Sequence, residues 1–473
     1  MSLFAVLLTV AANPWPTLEH ALDSRPIAVL EVPDASRSLQ DLERSSFRKW
    51  SPTLLGKDAS VVRKAGLRLI GAWYGTLSPA GGPDVVVSTD VQRELDQVQD
   101  MMKRWWRSLG ASEQPGSIAE NGWRFFTLAG KAWNVMLAAN EEHRRVGWAF
   151  EADRAKALGQ SQSPSLADDE AFRSMVSFAP RADLRGLVHV PRAFGWLLKQ
   201  PGGDVVARMI SRLGLSGAQM TPFAAEFVSR REARVTGKSV FTGSPGGVLA
   251  SLGPEVPIQW PVTVPKDAKT FVALSVRPEQ ALQAAAQWMA ADNPLQFTLV
   301  QAQITALEKR VGKRLGPDIL GSGPQTWVSY RDPRGGWVAE LGVVDSNAAQ
   351  ALFEALREAY PSAGIEPWSL GATPGFRLRS GSVRATVAFL PGAVLMSEDE
   401  GAMRRRLKAK VTDEPPGLLV KGKAVAFGRG VDVLRAIASR LRLPANGSGL
   451  NDVSAFRITR DGNTYGFYGR VRR

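Results

Sequence analysis

Residues 67–77 (LRLIGAWYGTL), 78–83 (SPAGGP) and 84–89 (DVVVST) follow one another as an apolar run, a Gly/Pro turn and a second β-branched run. That succession predicts strand, turn and strand. Immediately afterwards Val91, Leu95, Val98, Met102, Trp105 and Leu109 recur at intervals of three and four, the spacing of an amphipathic helix. The same grammar returns at an offset of 257, which carries Val87 onto Val344. There a run at residues 327–330 (WVSY) leads to the turn 332–336 (DPRGG) and a second run at 341–344 (LGVV). The helix predicted after it shows Ala349, Leu352, Leu356 and Tyr360 on one face.

Working outward, the offset carries residues 135–142 (VMLAANEE) onto 392–399 (GAVLMSED). In both, an apolar strand ends at a residue suited to cap a helix, Asn140 or Ser397, with acids where the helix dipole favours them. Further on, residues 187–190 (LVHV) and 424–427 (AVAF) each lead toward a helix, and each half closes on a hairpin, residues 234–241 in one and 457–465 in the other. In the second hairpin Asp461-Gly462 is a tight-turn signal. A proline-rich stretch, residues 253–265, suits an extended linker. The expectation is an α+β chain of two tandem similar units, residues 25–250 and 265–473, joined by a linker at 251–264. Each unit is expected to be a largely antiparallel sheet with helices packed on one face.

Residues 26–30 (PIAVL) leading into a helix, residues 165–172 (SLADDEAF) preceding the strand at Leu187, and residues 315–320 (LGPDIL) resemble a bacterial exported or envelope family known only as a domain of unknown function. The resemblance covers residues 25–473 at the level of spacing and carries no catalytic signature. It implies an exported or membrane-tethered protein and assigns no chemistry. Many relatives show a transmembrane anchor where this chain has only a short apolar segment.

That segment, residues 4–12 (FAVLLTVAA), precedes the polar break 13–16 (NPWP). It is too short to span a bilayer, and Val10 and Ala12 supply the small residues signal peptidase uses, so residues 1–12 are read as a signal peptide cleaved after Ala12. Because no Lys or Arg precedes the run, two other readings stay open: a start further upstream, or a buried first strand of a cytosolic protein. Export places the mature protein in the periplasm or outside the cell.

The 473-residue chain is 44% hydrophobic and 22% charged, which excludes wholesale disorder and collagen-like structure. It has no cysteine, so disulfides, thiolate metal sites and cysteine nucleophiles are excluded. Lys and Arg number 59 against 45 Asp and Glu, a formal charge of +14 that favours anionic partners.

No catalytic, cofactor or metal site emerges. His20, His143 and His189 are far apart and lack helical zinc spacing, with His189 the one expected to be buried in a strand. Gly237-Lys238-Ser239 resembles the tail of a phosphate loop, but Glu232 stands where that loop needs glycine, so a hairpin turn is expected. Asp168, Asp169 and Glu170 are read as first-turn acids of a helix capped by Ser165. Neither the esterase G-x-S-x-G elbow nor the dinucleotide G-x-G-x-x-G motif occurs; Gly321-Ser322-Gly323 and Gly447-Ser448-Gly449 lack the remaining glycine and the strand-to-helix context and are read as loops.

The candidate anion-binding residues are Arg404, Arg405, Arg406, Lys408 and Lys410 on one helix, with Lys103, Arg104 and Arg107 beside Trp105 and Trp106 on another. These point to a non-catalytic exported binding or scaffolding protein that associates with anionic lipid, lipopolysaccharide or acidic wall polymer. Two other readings remain: an exported hydrolase using loop carboxylates, and a basic cytosolic nucleic-acid binder, for which no helix-turn-helix, zinc finger or RNA-binding motif is present.

Overall fold

The computed structural model describes residues 26–45, 73–77, 83–88, 99–100, 103–104, 107, 112–120, 123–129, 134–140, 145–149, 166–199, 202–258, 261, 263–265, 267–268, 270–380, 383–408, 420–430 and 453–472. It is a mixed α+β chain divided into two compact units. The first comprises Met1–Ala207, Ser216–Thr242 and Val471–Arg473, and the second Arg208–Leu215 and Gly243–Arg470. The signal-peptide and anchor readings fall outside the described residues.

The strands assigned to the first unit are β1 (Ala28–Val32), β2 (Trp73–Leu77), β3 (Pro83–Ser88), β4 (Ser112–Glu120), β5 (Trp123–Ala129), β6 (Asn134–Asn140), β7 (Arg145–Ala149), β8 (Leu184–His189), β9 (Ala218–Ser229) and β10 (Glu232–Phe241). They pair antiparallel in the order β4-β5-β6-β7-β3-β2-β1-β8-β9-β10. Helix α1 (Ala35–Arg44) follows β1, α2 (Glu170–Phe178) precedes β8, and α3 (Val190–Leu197) and α4 (Gly203–Leu213) follow it along the chain, α4 from Arg208 onward being counted with the second unit. Of the strand-turn-strand reading at 67–89, the two strands are observed as β2 and β3, paired antiparallel with Tyr74 opposite Val86, while residues 67–72, 78–82 and 89 lie outside the described residues. Of the helix expected after it, Gln99, Asp100, Lys103, Arg104 and Arg107 are helical, and the remainder lies outside the described residues.

β1 sits between β2 and β8 and is buried along nearly its whole length, as a central strand must be. Val29 and Leu187 on β1 and β8 pack with Leu166, Phe172 and Met175 beneath α2. Glu31 is the one acid in β1 and stands opposite Arg185 of β8. The two form a buried double-contact ion pair, Nη2 to Oε1 at 2.6 Å with a second bond from Nε, and Arg185 Nη1 also donates to the carbonyls of Val176 and Ala179 at the end of α2. Asp183 ties α1 to β9: its carboxylate accepts from the Phe227 amide at 2.7 Å and lies 3.5 Å from Arg37. Burial pushes its carboxyl up against those contacts.

The second unit opens with α5 (Gly247–Ala250) and β11 (Val256–Pro257), then β12 (Phe271–Val276), helices α6 (Pro278–Asp292) and α7 (Pro294–Val311), and a π-helical turn at Leu315–Gly321. Next come β13 (Gln325–Arg331), β14 (Trp337–Gly342), α8 (Ser346–Ala359), β15 (Ile365–Leu370), β16 (Thr373–Ser380), β17 (Val383–Leu390), β18 (Ala393–Ser397) and α9 (Glu400–Lys408). β19 (Lys423–Ala424), β20 (Ala426–Arg429), β21 (Val453–Asp461) and β22 (Thr464–Arg472) complete it. The order in its sheet is β15-β16-β17-β18-β14-β13-β12-β20-β21-β22.

The helices of this unit are not confined to one face, contrary to the sequence reading. On one side Ala348, Ala349, Leu352 and Phe353 of α8 pack against Phe376, Val387 and Phe389, with the Phe353 and Phe376 rings stacked at 5.9 Å. On the other, Met403 and Leu407 of α9 pack against Trp368, Ala388 and Leu395. Because β17 and β18 are apolar on both alternating sets, Val387, Phe389 and Val394 facing one way and Ala388, Leu390 and Leu395 the other, each face needs its own helix.

Local signals also misplace several boundaries. Asn140 caps no helix; it ends β6 in a hairpin with β7, opposite Arg145. Ser397 ends β18, its hydroxyl bonding the Trp337 carbonyl at 2.7 Å, and the N-terminus of α9 is capped instead by Asp399, which accepts from the Gly401 and Ala402 amides. An apolar strand followed by polar residues looks alike before a hairpin and before a helix, so the 257 offset set β6 beside β18, strands at different places in their sheets. Gly237-Lys238-Ser239 lies inside β10, with Gly237 opposite Phe223; the turn is at Arg230-Arg231, which carries no turn chemistry in its sequence. In the other hairpin the turn after Asp461 forms as expected.

The stretch 251–264 is not an extended linker. Gly253 donates to the Ser275 carbonyl at 2.8 Å, Leu252 bridges Val276, β11 pairs with β19, and Val264 is buried with Phe271 and Tyr330. Its prolines suit a short two-residue pairing, where few ladder amides are required.

Candidate functional site

Helix α9 is where the cluster of arginines read from the sequence lies, and the fold neutralises most of it. Arg404 turns back one helical turn to Glu400, with Nη2 to Oε1 at 2.6 Å, and lies 5.7 Å from the Trp368 ring. Arg405 reaches the buried Asp332 of the β13/β14 turn at 2.7 Å, and Arg406 reaches Glu340 of β14 at 3.0 Å. Lys408 is exposed, and Lys410 lies outside the described residues. Arg405 and Arg406 therefore strap the helix to the sheet and Arg404 is held within the helix, so the three do not form an open cationic face.

The second predicted cluster behaves similarly. Lys103 bonds Glu113 at 2.8 Å and stands 3.8 Å over the Phe126 ring, while Arg107 pairs with the same carboxylate. The hydrogen bond from Lys103, with help from Arg107, draws the Glu113 carboxyl down. Arg104 is exposed, and Trp105 and Trp106 lie outside the described residues.

Beside the first turn of α9 a groove of about 480 Å³ opens between β16, β17 and the end of β18. Its charged lining comprises Arg377, Arg379, Arg384, Glu398 and Glu400, with Thr386 between them. Alternation along the strands places these side chains on the α9 face, while Phe376 and Phe389 point to the α8 face. Glu400 accepts from Arg377 Nε at 2.8 Å, Arg377 Nη2 at 3.0 Å and Trp368 Nε1 at 3.1 Å, in addition to Arg404. The Arg377 hydrogen bond is the largest of several influences that hold the Glu400 carboxyl at about 2. It is a fixed anion at any physiological pH.

Arg379 and Arg384 differ from Arg377. They stand directly opposite each other across the β16/β17 ladder, and both are exposed. Arg379 has Glu366 at 3.9 Å, beyond hydrogen-bond contact, and Arg384 has no carboxylate partner among the described residues. Like charges directly opposed on adjacent strands repel. The sequence does carry a trace of this pair: residues 376–387 (FRLRSGSVRATV) place Arg on alternate positions either side of Ser380-Gly381-Ser382. Folding that run as a hairpin is enough to bring the guanidinium groups together.

Of the remaining sequence candidates, His20, His143 and Gly447-Ser448-Gly449 lie outside the described residues. His189 ends β8 and caps α3 without a side-chain bond; burial, helped by nearby Arg192, pushes its imidazole down. Asp169 is the actual cap of α2, accepting from the Ala171 and Phe172 amides, in place of Ser165. Among the described residues no group of three His, Asp or Glu side chains is arranged to hold a metal ion, and no helix is long and apolar enough to cross a membrane.

The chain matches no protein-family model, no curated protein and no solved structure. The resemblance to an envelope family thus stays at the level of spacing, and no residue role is carried over from a relative.

Proposed function

We propose that this chain is a non-catalytic, exported binding protein made of two copies of one α+β unit, and that it associates with anionic components of the bacterial envelope through the Arg379/Arg384 groove. The observation that carries the reading is the opposed arginine pair, two exposed cations held together by the ladder without a carboxylate in hydrogen-bond contact. An anion bridging them relieves the repulsion and gains charge-assisted hydrogen bonds. Duplication is supported by the strand orders: numbered along the chain, the first unit's sheet and the second's follow the same sequence of neighbours. A carboxylate hydrolase is the weaker reading for this groove, because its acid would need a raised pKa and Glu400 is lowered.

Co-sedimentation with anionic and neutral vesicles, and with lipopolysaccharide, across a salt series tests the binding. Attraction of about 1 kcal/mol for each exposed cation gives weak association that fades with added salt. Arg379→Glu/Arg384→Glu is expected to abolish it, while Arg404→Glu is expected to act mainly on stability. Equal binding to anionic and neutral vesicles, or undiminished binding by the double variant, refutes the assignment. N-terminal sequencing of protein from the native host tests cleavage after Ala12.

A further inference from the structure

A second concavity, of about 360 Å³, lies in the second unit between the loop 243–247 and helix α6. Gln280, Gln283 and Gln287 line it from one face of α6, at helical spacings of three and four around the buried Ala284. Arg277 enters from the residue before the helix, and Arg460 from β21. Arg460 is held by its contacts with the Leu252 and Gly462 carbonyls, 5.5 Å from the Tyr465 ring, and its amide donates to Glu255. The Arg277 side chain makes no hydrogen bond or ion pair among the described residues.

The lining narrows the occupant. No carboxylate is part of it, so a cation or amine finds no counter-charge. Its apolar members are small, Pro245, Ala250 and Ala284, which offers little to a lipid tail. Two guanidinium groups favour an anion, and three primary amides, each both donor and acceptor, match hydroxyl groups, which also donate and accept. The volume lies at the small end of ligand sites, which run from about 300 Å³ upward. The loop is pre-set: Gly247 has φ +54°, and a Cβ there would collide with the Arg212 carbonyl, so the chain is held close against that backbone. We propose that this cavity binds a small anionic sugar, a uronate or sugar phosphate, with Arg277 taking the anionic group and the α6 amides taking hydroxyls. The site is separate from the Arg379/Arg384 groove.

Calorimetric titration of the full chain with glucuronate, glucose 6-phosphate, glucose and inorganic phosphate tests it. One of the two anionic sugars is expected to bind about tenfold or more tightly than either glucose or phosphate, and comparison of the two identifies the anionic group. Arg277→Gln is expected to weaken that binding about tenfold or more. Gln283→Ala/Gln287→Ala, on exposed positions of α6, is expected to weaken it as well without altering thermal unfolding, and carries the test if the Arg277 variant does not fold. Arg379→Glu/Arg384→Glu should bind the sugar as the native chain does. The proposal is overturned by absence of binding at about 10 mM of either anionic sugar, by glucose or phosphate binding equally well, or by unchanged affinity in both cavity variants.

Discussion

Replacing Arg185 by methionine breaks the buried ion pair between the central strands β1 and β8, and its cost can be worked from the contacts. The Glu31 and Arg185 side chains are 2% and 8% exposed, so neither charge is solvated in the fold. The substitution leaves the Glu31 carboxylate in the core without its guanidinium, and removes the donors to the Val176 and Ala179 carbonyls that close α2. Breaking one partner of a buried pair costs about 3–5 kcal/mol, and the two lost carbonyl bonds, at about 1 kcal/mol each, place Arg185→Met at the upper end of that range. Glu31→Leu/Arg185→Met, which removes both charges, should recover at least half of the loss. Urea unfolding followed by circular dichroism, with hydrogen exchange at the β1 and β8 amides to localise the effect, supplies the measurement. In Arg185→Met the Glu31 carboxyl is expected to rise above its unfolded value, so the folded state gains a proton at low pH. The deficit should therefore shrink as pH falls from about 8 toward about 5. A loss below about 1 kcal/mol, or a double variant no better than the single one, would refute the reasoning.

Other outcomes follow from single contacts. Glu400 is held low, so its contribution to stability is present above the unfolded carboxylate range and is lost as pH falls through about 2; Glu400→Gln should flatten that acid limb in a pH series of thermal unfolding. Gly336 has φ +84°, and a Cβ there would lie 2.5 Å from the Asp399 Cβ, so Gly336→Ala should destabilise by about 1–3 kcal/mol in urea unfolding. Tyr330 is fully buried with a hydroxyl that has no partner among the described residues, so Tyr330→Phe should leave stability unchanged or raise it by about 1 kcal/mol in the same assay. Phe376→Ala removes a ring that stacks on Phe353 and meets Phe389 edge-on, and should cost about 3–5 kcal/mol.

Much of the architecture was legible because period and turn chemistry are local. The β2/β3 and β13/β14 hairpins, the helix α8 and the turn after Asp461 all form from residues whose neighbours state the outcome. What failed depended on distant partners. Ser397 looks like a cap until β14 brings the Trp337 carbonyl to its hydroxyl, and Arg230-Arg231 carries no turn signal because the β9/β10 pairing imposes the reversal. The same reason misdirected the site. A run of arginines on α9 suggests a cationic surface, but whether Asp332 and Glu340 answer it is decided by β13 and β14, more than sixty positions away. Arg379 and Arg384 give no local signal because alternation sets them among apolar residues; Arg277 and Arg460 are far apart in sequence and meet only through the fold.

Residues Arg208–Leu215 are counted with the second unit although Ser216–Thr242, which follow them, belong to the first. The polypeptide therefore enters the second body, leaves it and returns. No single cut in the gene yields either body whole: a break before Arg208 strips the first of β9 and β10, and a break after Thr242 strips the second of the backbone that Gly247 leans on. A truncated second half that loses sugar binding would have lost its brace before any ligand was offered. Dissecting this chain into modules requires transplanting residues 208–215 along with the fragment that needs them, and the same threading ties the synthesis of one body to completion of the other.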